Sequence, residues 1–335
     1  MKITTFIPQK GCNCMRAGAV YGNDQILDLS AAYALFLKDT QSELRSAEVA
    51  AALLPADMVA FCDGFPQTLS RAETAISHVK ALAKKKDPRL NGILYAIKDI
   101  TFKAPIPRPR AMGIGYFNQK GIIEEASRVK TEEETGKKTE GIIMAVEYPK
   151  IACVSWSSPR CVIGHNEAII FPKISKKIFN SIELGVVIGR EAYKVPKDKA
   201  DDYILGYTVT SDITAFDLVQ AENFVYTVCR CKSMPTFWPN GPWIVTKDEI
   251  KNPMNLNASV RINGKEVMSA STRNYTFSPQ DYVADVSRFM ILEASTVIAM
   301  GAFNETTFTF PKVGDVVENE VEGIGILRNN VVAEE

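Results

Sequence analysis

The stretch Ser181-Ile182-Glu183-Leu184-Gly185-Val186-Val187-Ile188-Gly189 decides how the rest of the chain is interpreted. It is a short run of apolar, largely β-branched residues, which is typical of a buried strand, with one carboxylate near its start. A second run, Gly206-Tyr207-Thr208-Val209-Thr210-Ser211-Asp212, ends on another carboxylate. Because Mg²⁺ and Ca²⁺ prefer carboxylate oxygens, two strands that each present an acid predict a hard-cation site. The alternative is that each acid is a turn residue at a strand end, which is the commoner role.

Composition argues against several classes of function. The chain has 335 residues, and 46% of them are hydrophobic, which is enough for one small domain and one larger one. Its 39 basic residues balance 39 acidic ones, which argues against a nucleic-acid partner because such binding depends on phosphate neutralisation. No apolar run reaches the roughly 20 residues that span a bilayer, and the N-terminus lacks the apolar core of a secretory signal. We therefore expect a cytoplasmic protein without a membrane or nucleic-acid partner.

The first hundred residues have the signals of a small α+β domain. Residues 3–7 predict a strand, a hairpin follows, Ser30 is the predicted cap of a first helix, and a later helix begins at Gln67. Residues 97–109 predict an extended linker, because three of its last five residues are prolines, which lack the amide donor of a helix or central strand. We therefore predict a small N-terminal domain over residues 1–104 and a larger domain over residues 105–335.

The larger domain has mainly strand signals. From about residue 151 short apolar runs alternate with turns, and Asn263-Gly264 predicts a type I′ hairpin turn. One helix is predicted at residues 279–292. This pattern indicates a mostly β, α+β fold and not an alternating βαβ fold. Residues 128–140 are rich in charge, which fits either a solvated helix or a mobile lid.

The order of these motifs resembles that of the fumarylacetoacetate hydrolase family over nearly the whole chain. The two opening stretches resemble the family's E-x-E-L-A-V-V-I-G and G-Y-T-V-x-N-D-V-S-A-R-D motifs. Lys232-Ser233 followed by Gly241-Pro242-Trp243 resembles K-[ST]-x-D…G-P-W. The resemblance implies a mixed β-roll catalytic domain, a lid at about residues 116–148, a homodimer, and a divalent metal, Mg²⁺ or else Mn²⁺ or Ca²⁺.

Several positions depart from the family pattern. Ser181 stands where the family has the first glutamate of E-x-E, so the implied metal ligands are Glu183, Asp212 and the substituted Ser181. The loss of one negative charge predicts weak or absent metal binding, because ligand charge sets the affinity of such sites. Gly121 falls at the position of the lid histidine, and the chain has only two histidines, His78 and His165.

The resemblance also implies roles for other residues. Lys232 can stabilise an enolate or act as a base, although a structural ion pair with Glu183 or Asp212 is an alternative. Glu124, in the predicted lid, is the second candidate catalytic residue. The predicted substrate-binding residues are Phe117, Phe216, Trp238, Gly301, Ala302 and Phe303. Their apolar character predicts a small-molecule substrate that is bulkier or less polar than a simple 2-oxo acid, unless these aromatic rings only fill the core.

These features together predict a divergent member of the family that acts on a β-dicarbonyl or enolisable oxo compound. The predicted reaction is C–C bond cleavage of the hydrolase or lyase type, such as decarboxylation, through a stabilised enolate. Losing the lid histidine favours lyase chemistry, since that histidine is the usual base for water attack. The alternatives are an isomerase or dehydratase of the same family, a metal-independent catalyst that uses Lys232, or a catalytically silent ligand-binding paralogue.

Overall fold

The structure, a computed structural model, describes residues 1–11, 13–116, 118, 151–221, 230–303 and 309–335. The N-terminal part contributes five strands and four helices. Its strands are Lys2–Pro8 (β1), Arg16–Tyr21 (β2), Gln25–Asp28 (β3), Leu94–Ala96 (β4) and Ile100–Phe102 (β5). Its helices are Leu29–Gln41 (α1), Ser46–Leu53 (α2), Met58–Asp63 (α3) and Gln67–Lys84 (α4).

The larger part is dominated by strands, as the sequence predicts. They are Met112–Tyr116 (β6), Cys153–Ser157 (β7), Val162–Ile163 (β8), Ile169–Phe171 (β9), Ile178–Ile188 (β10), Ile204–Ala215 (β11), Trp238–Thr246 (β12), Asn257–Ile262 (β13), Lys265–Ser271 (β14), Val297–Ala302 (β15), Val316–Val321 (β16) and Gly325–Ala333 (β17). In the described ranges of this part, two α-helices accompany them, Phe216–Ala221 (α5) and Pro279–Ser287 (α6). The mostly β, α+β class is confirmed.

One large sheet runs through both parts of the chain. Twelve of the described strands belong to it, in the order β4-β3-β2-β1-β12-β11-β10-β15-β6-β7, with β5 beside β1 and β8 beside β12. The strand β1 pairs with β12, so that Lys2 lies opposite Val245 and Ile3 opposite Ile244. Main-chain hydrogen bonds therefore cross the boundary predicted at residue 104. A second sheet has the order β14-β13-β16-β17-β9.

The stretches 181–189 and 206–212 are neighbours at the centre of the large sheet. They form β10 and β11, an antiparallel pair in which every residue of β11 is buried. Nearly all residues of β10 are buried as well, which shows that both faces of the pair are covered, and polar residues such as Asn180 and Thr210 therefore lie in the interior beside apolar ones.

Three local predictions need correction. The cap of α1 is Asp28 and not Ser30, because the Asp28 carboxylate accepts a hydrogen bond from the Ala31 amide at 3.0 Å. Residues 100–102, predicted as linker, form β5, since their main chain pairs with β1 before the prolines begin. The helix predicted to reach residue 292 ends at Ser287, because Leu292 pairs with Ala192 instead.

The predicted hairpin turn is confirmed. Asn263 and Gly264 join β13 to β14 with φ values of 53° and 77°, the left-handed conformation that a type I′ turn requires. Within the part of the chain that the structure describes, no helix is both long enough and apolar enough to cross a lipid bilayer.

Candidate active site

The centre of the sheet carries a face on which polar side chains converge. In the register of β10 and β11, Ser181 lies opposite Asp212 and Phe179 opposite Thr214. Directly opposed residues of an antiparallel pair project to the same face, and so do residues two apart along one strand. A cavity of about 170 Å³ opens on this face. The described residues that line it are Gly115, Tyr116, Phe179, Ser181, Glu183, Asp212, Thr214, Phe216, Val219, Lys232 and Ala302.

Lys232 and Asp212 form an ion pair inside this cavity. The Lys232 ammonium donates hydrogen bonds to Asp212 Oδ2 and, at 2.7 Å, to Thr214 Oγ1. Burial raises the pKa of the Asp212 carboxyl above its ordinary value, because removal from water disfavours the charged form, and the nearby ammonium opposes that effect. The pair therefore places a positive charge and a basic carboxylate within one hydrogen bond of each other.

The main chain on either side of Lys232 is held by side chains behind the cavity. Trp238 Nε1 donates to the Lys232 carbonyl oxygen at 2.9 Å, and the Ser157 hydroxyl donates to the same oxygen at 3.2 Å. Trp238 also donates to Ser157 Oγ at 2.8 Å. These contacts fix where the lysine side chain begins and so limit where its ammonium can lie.

Glu183, the second acid, is oriented by the strand beside it. Its Oε2 accepts a hydrogen bond from the Gly301 amide at 2.8 Å, and its Oε1 lies 3.4 Å from the Ser181 hydroxyl, which donates to it. Gly301 has φ of +93°, a conformation that favours glycine. The Tyr275 hydroxyl donates to the Gly301 carbonyl at 2.7 Å, and burial together with the charge of Glu183 raises the pKa of that phenol. Tyr275 therefore stays protonated and acts as a fixed donor.

A further set of hydrogen bonds holds the main chain next to Gly301. The Asn118 side chain donates to the Met300 carbonyl at 2.9 Å and accepts a hydrogen bond from the Phe277 amide at 2.7 Å. The Tyr282 hydroxyl donates to the same Met300 oxygen at 3.0 Å. Asn118 is only 1% exposed, so these bonds are protected from water. Together they fix the segment whose amide orients Glu183.

The donor set fits a divalent cation incompletely. Asp212 Oδ1 is buried and accepts no hydrogen bond from the described residues, so its lone pairs are available to a cation. Glu183 and the Ser181 hydroxyl lie on the same face, but no group of three histidine, cysteine or acidic side chains forms a metal cluster in the described chain. Two carboxylates can hold Mg²⁺ or Mn²⁺ when water and substrate complete the coordination.

The structure brings together most of the predicted site residues that it describes. Ser181, Glu183, Asp212, Lys232, Phe216 and Ala302 line the cavity. Gly301 contributes its amide to Glu183. Trp238 and Phe303 are fully buried and are not among the described lining residues. Trp238 supports Lys232, and Phe303 stacks on the Tyr275 ring with centroids 5.3 Å apart. Phe117, Glu124 and nearly all of the predicted lid lie outside the described residues.

Both histidines of the chain are described, and neither lines the cavity. His78 bonds to Asp39, with 3.0 Å between His78 Nε2 and Asp39 Oδ2, in the N-terminal part. His165 Nδ1 accepts a hydrogen bond from the Arg328 amide at 3.2 Å. Burial lowers the pKa of His165, which favours this neutral acceptor form.

Several residues of the site were not predicted from the sequence. Thr214 and Phe179 follow from a simple signal, because each lies two residues from a predicted ligand on the same strand. Asn118 and Tyr275 carry no such signal, since their partners Met300 and Gly301 are distant in the sequence.

Comparisons with known proteins match most of the chain. The family model described as "Fumarylacetoacetate (FAA) hydrolase C-terminal" matches residues 126–332. The mitochondrial oxaloacetate tautomerase Fahd2a of Rattus norvegicus is 30% identical over 286 residues, which cover 82% of this chain and 83% of that protein.

Two solved structures have the same fold over the whole of both chains. The 5-carboxymethyl-2-hydroxymuconate delta-isomerase from Mycobacterium smegmatis superposes with a TM-score of 0.68 at 21% identity. The maleylpyruvate hydrolase from Sphingobium sp. SYK-6, in complex with manganese(II) and pyruvate, superposes with a TM-score of 0.67 at 18% identity. At these identities the likeness shows the fold, which agrees with the predicted β-rich catalytic domain.

Proposed function

Because this chain belongs to the fumarylacetoacetate hydrolase family, we propose that it is an enzyme that interconverts the keto and enol forms of a small 2-oxo acid or β-dicarbonyl compound. The observation that carries the proposal is the buried Lys232 ammonium between Asp212 and Thr214, beside the second acid Glu183. An oxaloacetate tautomerase among the relatives supports the choice of tautomerisation over the C–C cleavage that the sequence first suggested.

Lys232 has the geometry of an oxyanion-stabilising group. An ammonium has three N–H donors, and in the described structure two of them are directed to Asp212 and Thr214. The third is left for a substrate oxygen. When the C–H bond beside the carbonyl breaks, its electron pair forms the C=C bond and the carbonyl oxygen becomes negative. A fixed positive charge in a water-poor cavity stabilises that oxygen.

Two proton transfers complete the reaction. We propose that Glu124 accepts the proton that leaves carbon and that Lys232 delivers a proton to the enolate oxygen, after which both groups exchange protons with water. Glu124 is assigned from the sequence resemblance. Asp212 and Thr214 hold the ammonium in place by accepting its hydrogen bonds.

We propose that Glu183 and Asp212, with the Ser181 hydroxyl as a neutral third donor, hold a divalent ion such as Mg²⁺ or Mn²⁺ weakly. Such an ion would supply Lewis-acid polarisation of the substrate carbonyl. The support is the buried Asp212 Oδ1 without a hydrogen-bond partner in the described chain and the manganese ion of the maleylpyruvate hydrolase relative.

C–C cleavage of the lyase type is the second candidate function. Loss of CO2 from a carboxylate β to the ketone and retro-aldol cleavage of a 4-hydroxy-2-oxo acid both leave the electron pair of the broken C–C bond as an enolate, so Lys232 would serve them equally. Hydrolytic cleavage is less well supported, because both histidines lie away from the cavity lining and water attack needs a general base.

A kinetic assay with product analysis tests the proposal. Oxaloacetate and acylpyruvates are followed by loss of enol absorbance, and NMR shows whether the carbon skeleton stays intact. We expect an unchanged skeleton, a rate well above the buffer-catalysed rate, and loss of that rate in Lys232→Met. Cleaved products would favour the second candidate. No acceleration with any substrate, with or without Mn²⁺, would identify a silent ligand-binding paralogue.

Assembly and location complete the proposal. We propose a homodimer in the cytoplasm, on the family resemblance and the sequence composition alone. Light scattering on the purified chain and fractionation of source cells test these two points.

A further inference from the structure

We infer that the cavity selects a substrate whose tail, beyond the reacting carbonyls, is a short apolar group and not a second carboxylate. This rests on the proposed function and names its substrate class. The inference comes from the side of the cavity formed by Phe179, Phe216 and Val219, which we call the apolar wall. Ser181, Glu183, Asp212 and Lys232 also line the cavity and form its polar end.

The apolar wall is held rigidly. The Phe179 and Phe216 ring centroids are 6.0 Å apart, and Phe310 packs on both rings at 6.0 Å and 5.2 Å. Such tilted and edge-on arrangements are favourable geometries for aromatic rings. The Phe216 amide donates to the Lys177 carbonyl at 2.9 Å, which fixes the start of α5. The rings therefore present a preformed apolar surface to the cavity.

Lys177 lies beside the apolar wall, and its ammonium already contacts aromatic rings. The Lys177 ammonium lies 3.8 Å from the Phe310 ring centroid and 5.3 Å from that of Phe216. Both are cation–π distances, and Lys177 is exposed and is not among the described lining residues. Lys232 is the one cation among the described lining residues, and it is paired with Asp212 at the polar end. A carboxylate placed against Phe179 and Phe216 would therefore lose water without an ionic partner among those lining residues, which is unfavourable.

The volume limits the size of the tail. A cavity of about 150 Å³ lined by apolar side chains holds a benzene molecule. The described residues enclose about 170 Å³, part of which faces the polar end. A short alkyl tail therefore fits against the apolar wall, in line with the bulkier or less polar substrate that the sequence suggested.

Binding of two matched probes tests the inference without turnover. N-isobutyl oxamate and N-oxalylglycine share the planar head of a 2-oxo acid, cannot enolise beside the carbonyl, and differ in carrying an alkyl or a carboxylate tail. Calorimetry in buffer with Mn²⁺ should show that the chain binds the isobutyl probe at least about tenfold tighter, because one methylene in an apolar pocket already gives about tenfold discrimination.

Substitutions at Phe216 assign the preference to the apolar wall. Phe216→Arg should reverse the order of the two probes, and Phe216→Leu, which keeps the wall apolar, should preserve it. Phe289→Arg makes the same chemical change at a side chain that is 75% exposed, and it should leave both affinities unchanged. Thermal unfolding of each variant confirms that it is folded.

The outcomes separate this inference from the proposed function. Equal or tighter binding of N-oxalylglycine by the unchanged chain overturns the inference alone. Binding of neither oxamate overturns the proposed recognition of a 2-oxo acid and the inference with it. A preference for the isobutyl probe that survives Phe216→Arg refutes the role of Phe216.

Discussion

Asp212 and Lys232 face each other across a buried ion pair, with side chains that are only 2% and 9% exposed. Because both side chains are buried, each charge is compensated by the other and not by solvation. Removal of one partner therefore lowers the free energy of unfolding strongly, because the remaining charge is then buried without a counter-charge. This asymmetry makes the pair testable by stability as well as by activity.

Removing one member of the pair should destabilise the fold more than removing both. Lys232→Met should lower the free energy of unfolding by about 3–5 kcal/mol, the range for breaking a buried pair from one side. The double variant with Asp212→Asn should recover a substantial part of that loss. Urea denaturation of the two single variants and the double variant measures the coupling. Additive effects would show that the ion pair has no special energetic role.

Restoring a carboxylate at position 181 should strengthen metal binding. Ser181 lies directly opposite Asp212 and donates to Glu183, so Ser181→Glu adds a third anionic group to the same face. We expect Mn²⁺ to bind at least about tenfold tighter, since ligand charge count sets affinity in such sites. Calorimetry without substrate measures this, with Ser181→Ala as the control for loss of the hydroxyl. An unchanged affinity would argue against a metal at these residues.

Gly301 should be required for activity beyond its contribution to stability. Its φ of +93° and its amide bond to Glu183 mean that Gly301→Ala both strains the backbone and disturbs an acid of the cavity. Gly314 is a matched control, because its φ is +94° and no atom lies within 4 Å of an added Cβ. Both substitutions should cost roughly 1–2 kcal/mol from backbone strain, and Gly301→Ala should cost more because its added Cβ would lie 3.1 Å from the Gly115 carbonyl oxygen. Only Gly301→Ala should abolish turnover. Thermal unfolding and kcat together decide this.

The Asp63–Arg110 ion pair should make the free energy of unfolding depend on pH in the acidic range. Arg110 Nη1 lies 2.5 Å from Asp63 Oδ1 and holds the pKa of that carboxyl below its ordinary value of 3.8. The pair therefore stabilises the fold above that value, and the contribution is lost as the pH falls through the lower pKa of the folded state. Asp63→Asn should cost roughly 0.2–1 kcal/mol at pH 7, because both side chains are partly exposed.

Unfolding of Asp63→Asn over a series of pH values can contradict this prediction. The difference in unfolding free energy between this variant and the unchanged chain should shrink as the pH falls below about 3.8. A difference that stays constant down to the most acidic pH at which the protein still folds would show that the ion pair is not its source.

The sequence predicted the centre of the site better than its surroundings. Ser181, Glu183 and Asp212 lie on strands whose apolar runs are visible locally, and the structure pairs those two strands. Aromatic residues were harder to place, because Phe216 and Trp238 have similar local contexts but only the first lines the cavity. Burial of a side chain depends on packing against elements that are remote in sequence, and no local pattern encodes that packing.

Long-range contacts account for most of what the sequence did not predict. The bonds of Asn118 to Met300 and Phe277 join segments more than 150 residues apart, as their separations of 182 and 159 residues show. The pairing of β1 with β12 is of the same kind. The prolines in residues 105–109 predicted a domain boundary near residue 104, but they could not show that the sheet continues across it.

That continuous sheet has a consequence for modularity. Because β1 covers one edge of β12, deleting the first 104 residues would leave the main-chain amides and carbonyls of an apolar strand without partners. Unpaired edges of this kind recruit other chains and lead to aggregation. The N-terminal part therefore protects this edge of β12 from pairing with other chains.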